Sequence, residues 1–338
     1  MTPMIAKKWR ILGVLGALCV PALVSAALSL PFSFKAGDPI KASQVNANFE
    51  ALRAQLDALT AGAPPRQLLG TFTLEGILSA APIRGFTQSI DVPVVAVGAG
   101  QGSAKPVLSN VQIIRDAGDG TPPLDLLLNQ QKHAPSADIV LGNLSVHLSD
   151  VIVQRVTVGG VQAGRAQETI SLNFESIEWT WKSGKDPAKV VSFDLVKGTG
   201  TAATTLPASF AYSPPGVALD ESYVPITSYD QDMGCATPQC KVTHSALSVQ
   251  KLAGAESLDL LGTSLSNKRT QKLNVTWFSS ATAITHSIDI TDFVVSHVTL
   301  SSNDDGTLGE TDSFSYATIS WSAGKAKTGW DLTKNTSL

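Results

Sequence analysis

The stretch Glu168-Thr-Ile-Ser-Leu-Asn-Phe-Glu-Ser-Ile-Glu-Trp179 decides the fold of this chain, because it alternates apolar and polar residues and recurs further along the sequence. Alternation with a period of two is typical of a β-strand that has one buried face. The surrounding segment, residues 144–181, aligns without gaps to residues 286–323, and 11 of the 38 positions are identical. Composition alone would give roughly two or three identities. We therefore predict two copies of one β-rich domain.

A shorter match upstream helps to set the limits of the two copies. The run Leu124-Asp-Leu-Leu127 recurs as Leu258-Asp-Leu-Leu261, and the first run follows two prolines, which favours a short helix. The predicted limits are 66–184 for the first copy, 188–326 for the second copy and 327–338 for a polar tail.

Bulk composition limits the class of protein. Charged residues make up 16% of the 338 residues and apolar residues 43%, so extensive disorder is not expected. The formal net charge is -3 and the chain has no long basic run, which argues against nucleic acid or an anionic membrane as a partner. Short apolar runs separated by glycine and proline indicate a mainly β protein.

The first 26 residues have the pattern of a secretory signal peptide. Lys7, Lys8 and Arg10 precede an apolar run, residues 11–24, and Ala26 ends a small-residue cleavage site. The apolar run is too short for a comfortable membrane span. We expect an exported protein, periplasmic or extracellular, that keeps no stable membrane anchor after cleavage.

Residues 27–65 are predicted to form a short helix followed by a proline-rich linker. Its apolar positions are spaced alternately by four and three residues, as in a coiled-coil seam. They are Val45, Phe49, Leu52, Leu56 and Leu59. One interpretation is an amphipathic helix that lies on the next domain; the other is a small coiled coil that joins several chains.

Two cysteines remain once the signal peptide is removed. Cys235 and Cys240 are separated by four residues, and an exported protein meets an oxidising compartment, so we predict a disulfide that pins a hairpin. A redox-active pair would have two intervening residues, and a metal site would need further ligands nearby.

No chemical motif stands out in the rest of the chain. The five histidines have no metal-ligand spacing with another histidine, cysteine or carboxylate, and no Gly-x-Ser-x-Gly elbow occurs. We therefore predict no catalytic, cofactor-binding or metal-binding residues, and a protein that is not an enzyme.

The repeated strand resembles the closing strand of Hcp, the tube protein of the type VI secretion system. The leucine-rich helix followed by Lys132-His133 is also similar to that family. The resemblance implies a mainly β fold with two tandem Hcp-like β-barrels, each with a short flanking helix, preceded by the short heptad helix. We expect six repeat-motif residues to be structural: Glu168, Ser171, Trp179, Glu310, Ser313 and Trp321.

The resemblance also implies self-assembly, because the family forms hexameric rings that stack into a tube carrying effectors. Two copies in one chain would let three chains form a pseudo-hexameric ring, with the heptad helix as a trimeric clamp. The expected function is that of an exported structural protein whose partners are its own copies and secretion-machine or effector proteins. The rival structure is a rigid tandem monomer. The alternative function is a secreted ligand-binding module or effector that uses the barrel as a scaffold.

Overall fold

Strands dominate the computed structural model, as the alternating pattern predicts, so the mainly β fold is confirmed. The structure describes residues 66–94, 105–162, 164–201, 206–207, 209–234, 243–280 and 282–338. The predicted signal peptide and heptad helix lie outside the described residues, as do Cys235 and Cys240. In the described part, no helix is both long and apolar enough to cross a membrane.

The first half of the described chain contains eleven strands and one helix. They are β1 (Gly70–Leu74), β2 (Leu78–Ile83), β3 (Gly85–Asp91), β4 (Val107–Leu108), β5 (Val111–Asp116), α1 (Thr121–Gln130), β6 (His133–Leu141), β7 (Leu144–Gln162), β8 (Arg165–Asn173), β9 (Ser176–Trp181), β10 (Lys189–Asp194) and β11 (Thr199–Gly200).

The second half repeats much of this order. Its elements are β12 (Ser209–Tyr212), β13 (Val224–Pro225), β14 (Ser228–Asp230), β15 (Met233–Gly234), β16 (Thr243–His244), β17 (Leu247–Leu252), α2 (Ser257–Ser266), β18 (Thr270–Ser280), β19 (Ala283–Ser302), β20 (Leu308–Ala323), β21 (Ala326–Asp331) and β22 (Thr336–Ser337).

The wall of the first copy is a run of antiparallel strands in the order β2–β1–β6–β7–β8–β5–β3. No ladder among the described residues closes this sheet into a barrel. The chain itself links its two ends, because only Arg84 separates β2 from β3 and its N–H donates to the carbonyl of Ile114 at 2.8 Å. The inward-facing apolar residues of these strands and of α1 form the core. Full burial of each such side chain contributes roughly 1.5–3 kcal/mol.

The two halves share their irregularities as well as their regular strands. Asp150 and Asp292 have left-handed backbone angles, φ 51° and 49°, and they stand 142 positions apart as the sequence match requires. A bulge follows each of them, at Val153 in β7 and at Val295 in β19. A left-handed aspartate and a β-bulge are irregularities of the backbone, and a regular strand forms without them. Their recurrence supports the predicted duplication.

Residues 327–338, which we predicted to be a polar tail, form strands instead. The turn Asp331-Leu-Thr-Lys334 between β21 and β22 matches the turn Asp194-Leu-Val-Lys197 between β10 and β11, 137 positions earlier. In both turns the aspartate Oδ1 accepts from the lysine N–H, at 3.0 Å and 2.8 Å. Because β10 pairs with β9 as β21 pairs with β20, β10 and β11 belong structurally with the first copy.

The second copy departs from the first at its opening strand. β12 runs parallel to β18, whereas its counterpart β1 runs antiparallel to β6. The closing hairpins, by contrast, have the same direction and register in both copies. The likeness is therefore strongest where the sequence match is strongest.

Candidate assembly interface

The two predicted copies are joined by a strand ladder between β3 of the first half and β19 of the second. Residues 87–91 pair antiparallel with residues 297–301. Ile90, Val298 and Leu300 all have zero exposure, so this ladder is the edge of a well-packed apolar seam. The joint is continuous sheet, which gives it many backbone hydrogen bonds as well as apolar burial.

Polar contacts fix the register of this ladder. The Nδ1 atom of His297 lies 2.6 Å from the Asp91 carboxylate, and the N–H of Phe86 donates to the Ser302 hydroxyl at 3.1 Å. Arg66 and Asp304 also form an ion pair at 3.1 Å, but Asp304 is 84% exposed, and such surface pairs contribute little.

Helix α2 forms the second part of the joint. It belongs to the second copy and packs against β3, β9, β10 and β11 of the first. Lys189 of β10 donates to the Asp259 carboxylate of α2 at 2.7 Å, and Leu260 of α2 is fully buried. Eight of its ten residues are buried, whereas in α1 only Leu124 and Leu127 are. The extra burial of α2 reflects its position between the copies.

The joint is head-to-tail, because each copy contributes a different surface to it. The first copy uses β3 and β9–β11, and the second uses β19 and α2. An interface made of two unlike surfaces leaves one surface of each kind unused at the two ends of the pair. Such interfaces can be repeated from chain to chain.

The repeated glutamates lie inside the copies and not at the joint. Glu168 has zero exposure and accepts from Arg115, its cross-strand partner on β5. Glu310 occupies the same place in the second copy and accepts from Lys251 on β17. Each glutamate is thus paired with a buried cation.

The second copy adds a buried acid to its ion pair. Asp312 is fully buried where the first copy has Ile170, and no donor among the described residues reaches its carboxylate. Burial, together with the negative charge of Glu310, raises the pKa of Asp312 well above its usual range, although Lys251 opposes this. The carboxyl of Asp312 therefore keeps its proton to a higher pH than an exposed aspartate does.

Lys251 and Ser257 complete this cluster. Burial alone would lower the pKa of Lys251, but the charges of Glu310, Asp312 and Glu256 outweigh it and raise that pKa. The Ser257 hydroxyl, in the first turn of α2, donates to Glu310 and accepts from the N–H of Gly254 at 2.9 Å. The cluster ties the start of α2 to the core of its own copy.

The other repeat-motif residues do not gather into one site. Trp179 is fully buried, while Trp321 is partly exposed and stacks on His244 with 6.1 Å between ring centroids. The Ser171 hydroxyl accepts from the Asn110 amide at 3.2 Å, and the Ser313 hydroxyl donates to Ser248 at 3.4 Å. These contacts serve the strands on which they lie.

An open depression of about 430 Å³ lies on the first copy, between β7, β9 and β10. Two of its lining residues have polar partners: His147 lies 2.7 Å from Asp138, and Lys197 donates to Asp194 at 2.7 Å. Within the described ranges, no group of three or more histidines, cysteines or carboxylates is placed to hold a metal ion.

The sequence reasoning missed the joint and the final turn. The turn had a readable signal, since Asp-Leu-x-Lys-x-Thr occurs at residues 194–199 and again at 331–336. Strand β3 had no such signal, because nothing in its own residues says that it pairs with a strand more than two hundred positions away.

Comparison with known proteins finds one family model that matches part of the chain. Residues 70–181 match the family model described as "Type VI secretion system effector, Hcp". No curated protein matches this chain.

Solved structures of low identity also match parts of the chain. Hcp1 from Salmonella typhimurium is 21% identical, with 38% of this chain and 94% of that chain covered and a TM-score of 0.31. A type VI secretion system effector from Yersinia pestis is 19% identical over 37% of this chain and 98% of its own, with a TM-score of 0.29. A chain in the structure of the anti-feeding prophage baseplate is 15% identical, with 40% of this chain and 97% of that chain covered and a TM-score of 0.25.

The matched segment begins at the first residue of β1 and ends at the last residue of β9. It contains α1, the closing hairpin and the buried pair of Arg115 and Glu168. Residues 70–181 of this protein are therefore similar to Hcp of the type VI secretion system.

Proposed function

We propose that this protein is an exported structural component of a secretion-like assembly, in which three two-copy chains close into a pseudo-hexameric ring. The observation that carries the proposal is the head-to-tail joint between the copies. A contact between unlike surfaces repeats with a fixed rotation, and it gives a ring when the rotation closes. With two copies per chain, half of the contacts of a sixfold ring lie within chains and half between them.

The duplication supports this proposal at the level of the fold. The shared bulges, the shared left-handed aspartates and the shared final turn all indicate that the second half is a second Hcp-like copy. On this reading the copies run from residue 66 to 201 and from 206 to 338. The later boundary replaces the one that the sequence suggested, because β10 and β11 pair with the first copy.

Three further parts of the proposal rest on sequence alone. Residues 1–26 direct export, to the periplasm or beyond. The heptad positions of residues 43–60 suit three parallel helices on the axis of a trimer. Cys235 and Cys240 form a disulfide in the segment between β15 and β16, two strands that pair with each other. Secretion-machine or effector proteins are the proposed partners of the ring.

The test is the mass and shape of the mature chain in solution. Multi-angle light scattering should give three times the chain mass, and negative-stain images should show rings with six lobes. A monomer at all concentrations examined would refute the ring.

The alternative function is a secreted ligand-binding module that uses the Hcp-like domain as a scaffold. The open depression of about 430 Å³ on the first copy is the feature that favours it. This function would replace the first if the mature chain were monomeric and bound a defined ligand there. Substitution of Glu178, which lines the depression, should then weaken binding.

A further inference from the structure

We infer that adjacent chains are joined by strand addition, with residues 230–234 of one chain pairing with residues 155–159 of the next. This inference rests on the proposed ring and names the two surfaces that close it. Both surfaces belong to this chain, so the partner is a second copy of the same protein.

The first surface is the counterpart of β3 in the second copy. Ser228 pairs with Gln250 of β17 as Gly85 pairs with Ile114 of β5. Met233 pairs with His244 as Ile90 pairs with Leu108. Ser228 lies 143 positions after Gly85, and Met233 lies 143 positions after Ile90. Residues 230–234 are therefore equivalent to residues 87–91, which form the joint within the chain.

The second surface is the free edge of β7. Residues 297–301 of β19 pair with β20 on one side and with β3 on the other. Their equivalents, residues 155–159 of β7, pair only with β8 in the described part of the chain. An unpaired edge of this length presents a row of backbone donors and acceptors to a further strand.

Side-chain exposure marks the same two surfaces. Val158 is 52% exposed, whereas its equivalent Leu300 is fully buried by the joint. Met233 is 51% exposed, whereas its equivalent Ile90 is fully buried. Large apolar residues are thus left in water on both predicted surfaces, at positions whose equivalents the internal joint covers.

Helix α1 shows the same contrast. Leu126 is 56% exposed, and its equivalent in α2, Leu260, is fully buried against the first copy. By the same equivalence, α1 should pack on β21 of the neighbouring chain. Asp125 is the equivalent of Asp259, which binds Lys189 within the chain. The equivalent of Lys189 in β21 is Ala326, so the contact between chains is expected to be apolar and without this ion pair.

The equivalence fixes a register for the new ladder. Val156 should lie opposite Met233, and Thr157 opposite Asp232, as Val298 lies opposite Ile90 and Thr299 opposite Ser89. Side chains opposite one another in an antiparallel pair lie on the same face and contact each other. The two exposed apolar residues therefore contact the facing strand, and Arg155 lies diagonally across from Asp232.

The proposed ladder predicts the mass of the mature chain for four variants. Val158→Glu should reduce the ring to single chains, because the new charge would be buried in the seam. Ile284→Glu is the matched control: Ile284 is 54% exposed but lies in the β18–β19 hairpin, outside both surfaces, so the ring should persist. Val156→Glu alone should also split the ring, and adding Met233→Lys should restore it, since the two residues face each other.

Light scattering on these variants, with circular dichroism to verify folding, separates the two proposals. A wild-type monomer would refute both the ring and the ladder. A wild-type trimer that persists in Val158→Glu, or that splits equally in Ile284→Glu, would overturn the ladder and leave the ring standing. Failure of Met233→Lys to rescue Val156→Glu would also overturn the register.

Discussion

The buried acid Asp312 makes the second copy less stable than it could be at neutral pH. Asp312→Ile would give this copy the residue that the first copy has at position 170. A polar group buried without a hydrogen-bond donor costs about 1–3 kcal/mol. Asp312 faces Val249 across the ladder, whereas Ile170 faces the larger Ile113, so the variant would bury a smaller apolar pair than the first copy already does. We expect the free energy of unfolding to rise by about 2 kcal/mol at pH 7.

The pH dependence of this effect has a definite sign. The pKa of Asp312 is raised in the folded state, so folded Asp312 keeps its proton where unfolded aspartate has lost it. Its contribution to stability is complete below about pH 4, the unfolded pKa, and is lost as pH rises through the folded pKa. The stability gained by Asp312→Ile should therefore grow with pH from about 4, by at most roughly 1.4 kcal/mol per pH unit.

Urea unfolding followed by tryptophan fluorescence, at a series of pH values from about 4 to 8, measures this difference directly. The groups around Asp312 that also titrate are Lys251, Glu256 and Glu310, and all three stay in place in the variant. Asp312→Asn is the isosteric control: it should remove the pH dependence and give little of the added stability. A pH-independent difference, or a variant less stable than the wild type at pH 7, would refute the reasoning.

Two shorter predictions come from buried groups in the structure, and a third comes from the sequence. Arg115→Met should lower the free energy of unfolding in urea by about 3–5 kcal/mol, because Glu168 would be left charged and unpaired in the core. The double variant Arg115→Met with Glu168→Gln should recover much of this loss. Equal losses in the single and the double variant would contradict the pairing. Tyr316 should stay protonated in the folded protein until about pH 12, because burial raises its pKa to about 12. Ultraviolet difference titration of the wild type against Tyr316→Phe measures this phenol directly. Ionisation of the phenol well below pH 12 would contradict the prediction. Mass spectrometry of the exported chain should find Cys235 and Cys240 joined and no free thiol, and alkylation of either without reduction would disprove the bridge.

Some features of this fold could be predicted because their signals are local. The alternation in residues 168–179 depends only on the two-residue period of a strand, so it predicts a strand and its buried face wherever that strand lies. Helix α1 was predicted for a similar reason, since Pro122 and Pro123 suit a first turn, and α2 was expected because the same leucine run recurs there. The polar-tail prediction for residues 327–338 was wrong, because polar side chains in a strand turn look like those of a tail.

The buried charges could be predicted only in part. The recurrence of Glu168 and Glu310 singled them out as structural partners, but their cations come from β5 and β17, more than fifty positions away. Sequence spacing carries no information on such pairings. The burial of Asp312 was hidden too, because a lone aspartate at an apolar position of the repeat can be a substitution on a surface strand.

By itself the sequence determined that this is a mainly β protein with a repeated strand pattern, and that its closing hairpin resembles that of Hcp. These features follow from the periodicity and identity of neighbouring residues, which survive whatever the chain does elsewhere. Only the tertiary structure decided that β10 pairs with β9, that β3 joins β19, and that, among the described residues, the edge of β7 and residues 230–234 lack the partners that their equivalents have. Strand pairing is a long-range choice, made by which edges meet when the whole chain packs, and no local pattern records it.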